Sequence, residues 1–249
     1  MKCKNCDSDF QGAFCNNCGQ RKTANDRLAF RNLIENFLND QFNIQKGFLY
    51  TLKYLAKKPG EVGKMYVEGK RKRFTSPSKF LIIAAALQAL IDFLSEKDRL
   101  IREYHYNYYP NISEEFSSSI EYWNLNLGTE YALSSTILFI VFIPLVLNTF
   151  FRRADYNYTE LMVVSFYFNG IALIINTLIV FIFRHIFAVY LPIEVWTLIY
   201  MAVLIWAFMS FYKHIALIPR FFKILASLGI IVLIRVYLLP VLFAIIFPV

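Results

Sequence analysis

A chain of 249 residues that is 57% apolar and only 18% charged does not fit a soluble domain, where about 45–50% apolar and about 25% charged residues are usual. Its net charge of +8 is concentrated at one end: residues 1–79 hold 16 Lys/Arg against 7 Asp/Glu, and residues 80–249 hold 10 against 11. The alternating pattern of a membrane barrel is absent, and several apolar stretches of about 20 residues, long enough to span a bilayer, predict an all-α polytopic membrane protein.

The first stretch, residues 1–22, contains all 4 cysteines. Cys3, Cys6, Cys15 and Cys18 form two C-x2-C pairs, with Gly19 after the second. Two such pairs bring four thiolates to one tetrahedral metal, with Zn–S near about 2.3 Å. Asn5, Asn16, Asn17 and Gly19 tolerate the left-handed turns this needs. So few residues cannot bury a core, so a structural Zn2+ is expected to supply the folding energy, on the order of 10 kcal/mol. Two disulfides or an iron site are the other chemistries open to this ligand set. Four thiolates leave no open coordination position, so a catalytic metal is not expected. Residues 3 to 20, and FCNNCGQ above all, resemble the short zinc ribbons at the start of many bacterial membrane proteins. That resemblance implies a folding and interaction module.

No apolar run occurs in the first 27 residues, so no cleavable leader is expected and the first span should act as the insertion signal. Residues 23–76 read as a basic amphipathic collar. After Asp26, a candidate N-cap, the apolar residues Phe30, Leu33, Ile34, Phe37 and Leu38 share one helix face. A second helix carries Ile44, Phe48, Leu52 and Leu55 on one face and ends before Pro59-Gly60. A third is predicted over Glu61 to Glu68, with Gly69 as its C-terminal cap. These helices are expected to lie in the lipid interface, apolar side down; a small soluble helical domain is the alternative. Lys70, Arg71, Lys72 and Arg73 then form a basic run suited to anionic lipid headgroups, at about 1 kcal/mol per charge. Nucleic acid is the less favoured partner, and Asp7 and Asp9 on the ribbon weaken it further. Pro59-Gly60, Tyr66, Gly69-Lys70-Arg71, Arg73-Phe74 and Pro77 resemble the signature of an uncharacterised bacterial family of zinc-ribbon-headed multi-span membrane proteins, a domain of unknown function. The resemblance covers the head, the collar and the first span. It implies the same layout and no particular activity.

The membrane domain, residues 77–249, is expected to hold about five transmembrane helices. They are placed near residues 77–94, 131–151, 160–183, 193–212 and 222–247, with Pro144 kinking the second and Arg235 inside the fifth. No internal repeat of the kind that marks many transporters is found. With the N-terminus inside, the inner segments carry 21 Lys/Arg and the outer loops carry 4. This predicts a multi-pass protein of the bacterial inner membrane, its N-terminus cytoplasmic and its C-terminus periplasmic. The cysteines then lie in the reducing cytosol, which disfavours disulfides. In the outer segment, residues 95–130, Asn111 and Glu114 could cap a helix bearing Ile112, Phe116, Ile120 and Trp123 on one side.

Charge inside the bilayer is costly and usually partnered. Asp92 in span 1 and Arg235 in span 5 stand at similar depth and are expected to pair. Ser165, Asn169 and Asn176, with Ala172, fall on one face of span 3 and should look into the bundle, where interhelical hydrogen bonds contribute about 0.6 kcal/mol each. No enzyme is expected: His105, His185 and His214 are far apart, and no nucleophile triad, H-E-x-x-H or P-loop occurs. The expected role is a membrane-anchored adaptor or scaffold whose zinc-binding head meets a cytoplasmic protein. The alternative is a small-solute or ion transporter or channel with a polar path at Asp92, Asn169, Asn176 and Arg235.

Overall fold

The computed structural model describes residues 1–20, 22, 47–94, 119, 122–123, 132–189, 191 and 193–247. Among these the fold is all-α, with eight α-helices: α1 (Gly47–Lys57), α2 (Pro59–Val67), α3 (Pro77–Leu94), α4 (Ala132–Phe150), α5 (Tyr158–His185), α6 (Ile193–Phe211), α7 (Leu217–Leu233) and α8 (Leu239–Ile246). A 3-10 turn at Arg152–Ala154 precedes α5, and a π turn at Ile234–Leu238 joins α7 to α8. The helix predicted after Asp26 lies outside the described residues, and so does that predicted after Asn111 except for residues 119, 122 and 123, which are helical.

Helix α5 is the axis of the bundle. It packs against α3, α4 and α6, and also against α1 and α2. Its N-terminal half is apolar or small almost all round, and a helix of that kind is stable only when surrounded. Tyr167, Phe168, Ile171 and Ala172 are all fully buried. Asn157 and Glu160 start it with a reciprocal cap: Asn157 Oδ1 accepts from the Glu160 N–H at 2.8 Å, and Glu160 Oε2 accepts from the Asn157 N–H at 2.8 Å. Such a cap contributes about 1 kcal/mol. It also fixes the start of α5 two residues earlier than the pattern suggested.

The neighbours of α5 gather their ends at one pole. Phe151 after α4 stacks on Tyr212 after α6, with ring centroids 4.0 Å apart and planes within 8°. Tyr156 before α5 meets Phe211 at 4.7 Å. Tyr66 of α2 meets Tyr167 of α5 edge-on at 5.5 Å, and the Tyr167 hydroxyl donates to the Thr75 carbonyl just ahead of α3. The start of α3, the end of α4, the start of α5 and the end of α6 are thus at one pole. At the other, Trp123 donates its indole N–H to the Phe247 carbonyl at 3.0 Å. Between the poles, Tyr158 from the start of α5 reaches along α4 and donates to the Val141 carbonyl at 2.9 Å, next to Ile140, whose carbonyl loses its usual helical donor because Pro144 has no N–H.

Helices α1 and α2 were expected to lie apolar side down on lipid. Instead Leu55 of α1 and Val62 and Tyr66 of α2 join the same core as the long helices. The third predicted helix begins at Pro59 rather than Glu61, because proline is well placed in a first turn. The fifth predicted span is not one continuous α-helix: it starts at Leu217 and is interrupted by the π turn.

Among the described residues two helices, Pro77–Leu94 and Tyr158–His185, are long and apolar enough to cross a membrane. The outer faces of the bundle carry large apolar side chains in the open, among them Phe93, Leu145, Leu178, Leu198, Leu233 and Ile245.

Candidate metal centre and polar cluster

The head repeats one turn twice. In the first, the Asp7 N–H donates to the Cys3 carbonyl and the Cys3 N–H to the Ser8 carbonyl; in the second, the Gly19 N–H donates to the Cys15 carbonyl and the Cys15 N–H to the Gln20 carbonyl. All four bonds are 2.8 or 2.9 Å. The residue after each second cysteine is left-handed, Asp7 at φ 58° and Gly19 at φ 68°. The glycine was legible in advance. The aspartate was not, although Asp tolerates this region better than most side chains. Asn17 Nδ2 donates to Ser8 Oγ at 2.9 Å and ties the two turns together. Phe10 is buried against Cys3 and Cys15, forming the head's own small core.

This symmetry brings four sulfurs to one point. All four Sγ atoms lie within 4.8 Å of one another, and the Cys3–Cys18 and Cys6–Cys15 pairs are each 3.6 Å apart. A disulfide needs about 2.0 Å. Tetrahedral ligation at about 2.3 Å puts sulfurs about 3.8 Å apart, so the arrangement fits a four-thiolate metal site. Burial pushes the Cys3 thiol up to about 11. Hydrogen bonding with the Ser8 side chain and backbone brings the Cys6 thiol down to about 6. A cation at the centre is what would let a buried thiol such as Cys3 lose its proton.

The head is not a free appendage. Gln20 Nε2 donates to the Gly69 carbonyl at 2.7 Å, and Gln20 Oε1 accepts from the Arg71 N–H at 3.4 Å. Gly69, at φ 102°, also faces the Lys4 stem, which a Cβ there would meet at 2.9 Å. One side chain therefore joins the ribbon to the loop that leads into α3. Nothing in the periodicity of the sequence marked Gln20.

The basic run divides. Lys72 and Arg73 are exposed, whereas Lys70 and Arg71 are half-buried. Arg71 is turned inward: its Nε donates to the Tyr66 carbonyl at 3.1 Å and its guanidinium lies over the Tyr66 ring at 5.7 Å. Burial lowers its pKa below the usual guanidinium value, opposed by Tyr66, Glu160 and Tyr167. The Thr75 N–H donates to Thr51 Oγ1 at 2.9 Å, so the loop is bound to α1 as well.

The polar stripe of α5 faces inward as its spacing implied. Ser165, Asn169 and Ala172 are fully buried and Asn176 is half-buried. Asn169 Nδ2 donates to the Ser165 carbonyl at 2.7 Å, and Asn169 Oδ1 accepts from the Tyr200 hydroxyl of α6. Arg235 is half-buried in the π turn. The structure thus joins Asn169 of α5 to Tyr200 of α6. Tyr200 escaped notice because it sits in a run of apolar residues. Asp92 lies half-buried in the last turns of α3.

Residues 45–88 match the family model described as "Protein of unknown function (DUF3667)". The match covers α1, α2, the basic loop and the first turns of α3, the segment to which the head is hydrogen-bonded. No curated protein and no solved structure is matched by the chain.

Proposed function

We propose that the protein is a membrane-anchored adaptor of the bacterial inner membrane, with a structural Zn2+ ribbon as its cytoplasmic head. The observation that carries this reading is the closed set of four thiolates in a head tied to the bundle by Gln20. A closed metal shell holds shape and offers no site for chemistry. The bundle below is filled at its centre by large side chains, Tyr167, Phe168, Phe208 and Phe211 among them, all fully buried. On the head, Met1 and Phe14 are exposed apolar residues, which a protein partner could cover.

The membrane part of the reading takes α3, α4, α5, α6 and the α7–α8 run as about five spans. The exposed apolar belt supports it, as does the meeting of alternate helix ends at one pole. The same pole carries the basic loop, which by the charge bias faces the cytoplasm. Lys72 and Arg73, and Lys70 in part, are then placed against anionic headgroups. Affinity capture from membranes, using the wild-type chain and one with Cys15→Ser and Cys18→Ser, tests the adaptor role. Partners that disappear with the metal support it; an identical partner set refutes it.

A second reading, a polar path for a small solute or ion, is favoured by one observation: inside the bundle the Tyr200 hydroxyl donates to the buried Asn169, itself bonded to the Ser165 carbonyl. The pairing of Asp92 with Arg235 belongs to this reading. It expects Asn176→Cys to react with a membrane-impermeant maleimide added outside intact cells. Protection of that cysteine until detergent is added would favour the packed anchor.

A further inference from the structure

Among the described residues, one buried cation stands out for what it does not touch. Arg220 lies in the first turn of α7 and is only 8% exposed. It shares the inward face of that helix with Ile224, Ser227, Leu228 and Ile231. Its Nε and Nη1 atoms are fully buried, yet no described group accepts a hydrogen bond from them. A buried guanidinium without an acceptor is costly.

Its surroundings add positive potential. The helix start at Ala216 has no side-chain cap, so the first-turn N–H groups and the helix dipole present partial positive charge. Lys64, from the last turn of α2, and Arg220 both act on His214, in the turn between α6 and α7. Burial first, and then these two cations, hold His214 below the usual imidazole range. Lys223 is one turn further on, its ammonium 5.6 Å from the centre of the Phe151 ring. On the opposite side of the same helix start, Ile218 and Phe222 stand exposed.

We propose that this pole carries an anion site, in which Arg220, Lys64 and the uncapped start of α7 bind a phosphate group. Helix starts are ready sites for phosphate, and an arginine presents parallel donors to its oxygens. The anion supplies the acceptor that Arg220 Nε and Nη1 lack. A phospholipid headgroup and soluble phosphate share this chemistry; on the membrane reading the start of α7 lies at headgroup level, which favours the lipid. The lipid source rests on the membrane reading above, and the phosphate chemistry does not.

The test uses the full-length chain purified in neutral detergent. Melting temperature is titrated separately with phosphatidylglycerol, with phosphatidylcholine and with inorganic phosphate. Phosphatidylglycerol is expected to raise it saturably, with phosphatidylcholine doing less. Arg220→Met should weaken the response by roughly tenfold or more, while melting no lower than wild type without lipid, because it replaces an unpartnered charge by an apolar chain of similar length. Lys64→Gln, at a half-buried position outside the core, should weaken the response in the same direction. An equal response to inorganic phosphate that is lost in Arg220→Met would support the phosphate site and assign it a soluble ligand. A phosphatidylglycerol response unchanged in both variants, or no response to any of the three, would overturn the site. Failure of the membrane reading alone would remove the lipid response and leave the phosphate response in place.

Discussion

Gly60→Ala is expected to abolish the docking of α2 and to lower stability by several kcal/mol. A Cβ at residue 60 would fall 2.3 Å from the Ser210 carbonyl carbon and 2.5 Å from the Phe211 nitrogen. Both are backbone atoms of α6, so no rotamer change can relieve the overlap. The Gly60 N–H also donates to Ser210 Oγ at 3.1 Å, a bond that holds only while the helices stay this close. To admit a methyl group α2 must lift away. Val62 and Tyr66, now buried in the common core, would lose much of their packing. Full burial of such side chains contributes about 1.5–3 kcal/mol each, and strain from overpacking adds about 1–3 kcal/mol. Thermal unfolding of the full chain in detergent measures the loss. Gly229→Ala is the matched control, since nothing lies within 4 Å of its would-be Cβ. It should be neutral, or more stable by about 0.5–1 kcal/mol through helix propensity alone. If Gly60→Ala melts within about 1 kcal/mol of wild type, α2 is not seated against α6.

Cys15→Ser is expected to unfold the head and leave the bundle standing. The sulfurs of Cys15 and Cys6 are 3.6 Å apart, so the substitution removes one of four ligands and the charge that makes a metal bind. Apparent binding energies of structural zinc are on the order of 10 kcal/mol, far more than a core of Phe10 and cysteines can supply alone. Metal content by elemental analysis should fall from one Zn2+ per chain to none. Limited proteolysis should then cut within residues 1–20, whereas the helices from α3 onward should stay protected, because the core around α5 does not include the ribbon. Stoichiometric zinc in this variant, or an uncut head, would refute the four-thiolate site.

The two variants probe features of different legibility. The cysteine spacing announced a metal site directly, since C-x2-C pairs have few other uses and all four ligands lie within one short stretch. The glycine gave little warning. Pro59-Gly60 reads as a helix breaker between α1 and α2, and so it is, but the absence of a side chain there is required by a contact 150 residues away in the chain. Arg71 shows the same division. Its neighbours Lys72 and Arg73 face outward as a basic run should, while Arg71 turns onto Tyr66. Local charge gives no hint of that, because the acceptor is a backbone carbonyl exposed only by the end of α2.

What the sequence alone determined is what local chemistry and periodicity can decide. That includes the four-cysteine head, the helical class, the bounds of α3, the inward face of Ser165, Asn169 and Ala172, and the asymmetry of charge. Helix packing decided the rest: the collar's apolar face belongs to the bundle, Gln20 ties the head to the loop after α2, the Tyr200 hydroxyl meets Asn169, and Arg220 is buried with no described acceptor for its Nε and Nη1. These are facts about which residues meet across long separations. A side chain's periodicity reports the direction it faces and is silent on what waits there, so the partner becomes known only when the helices are set against one another.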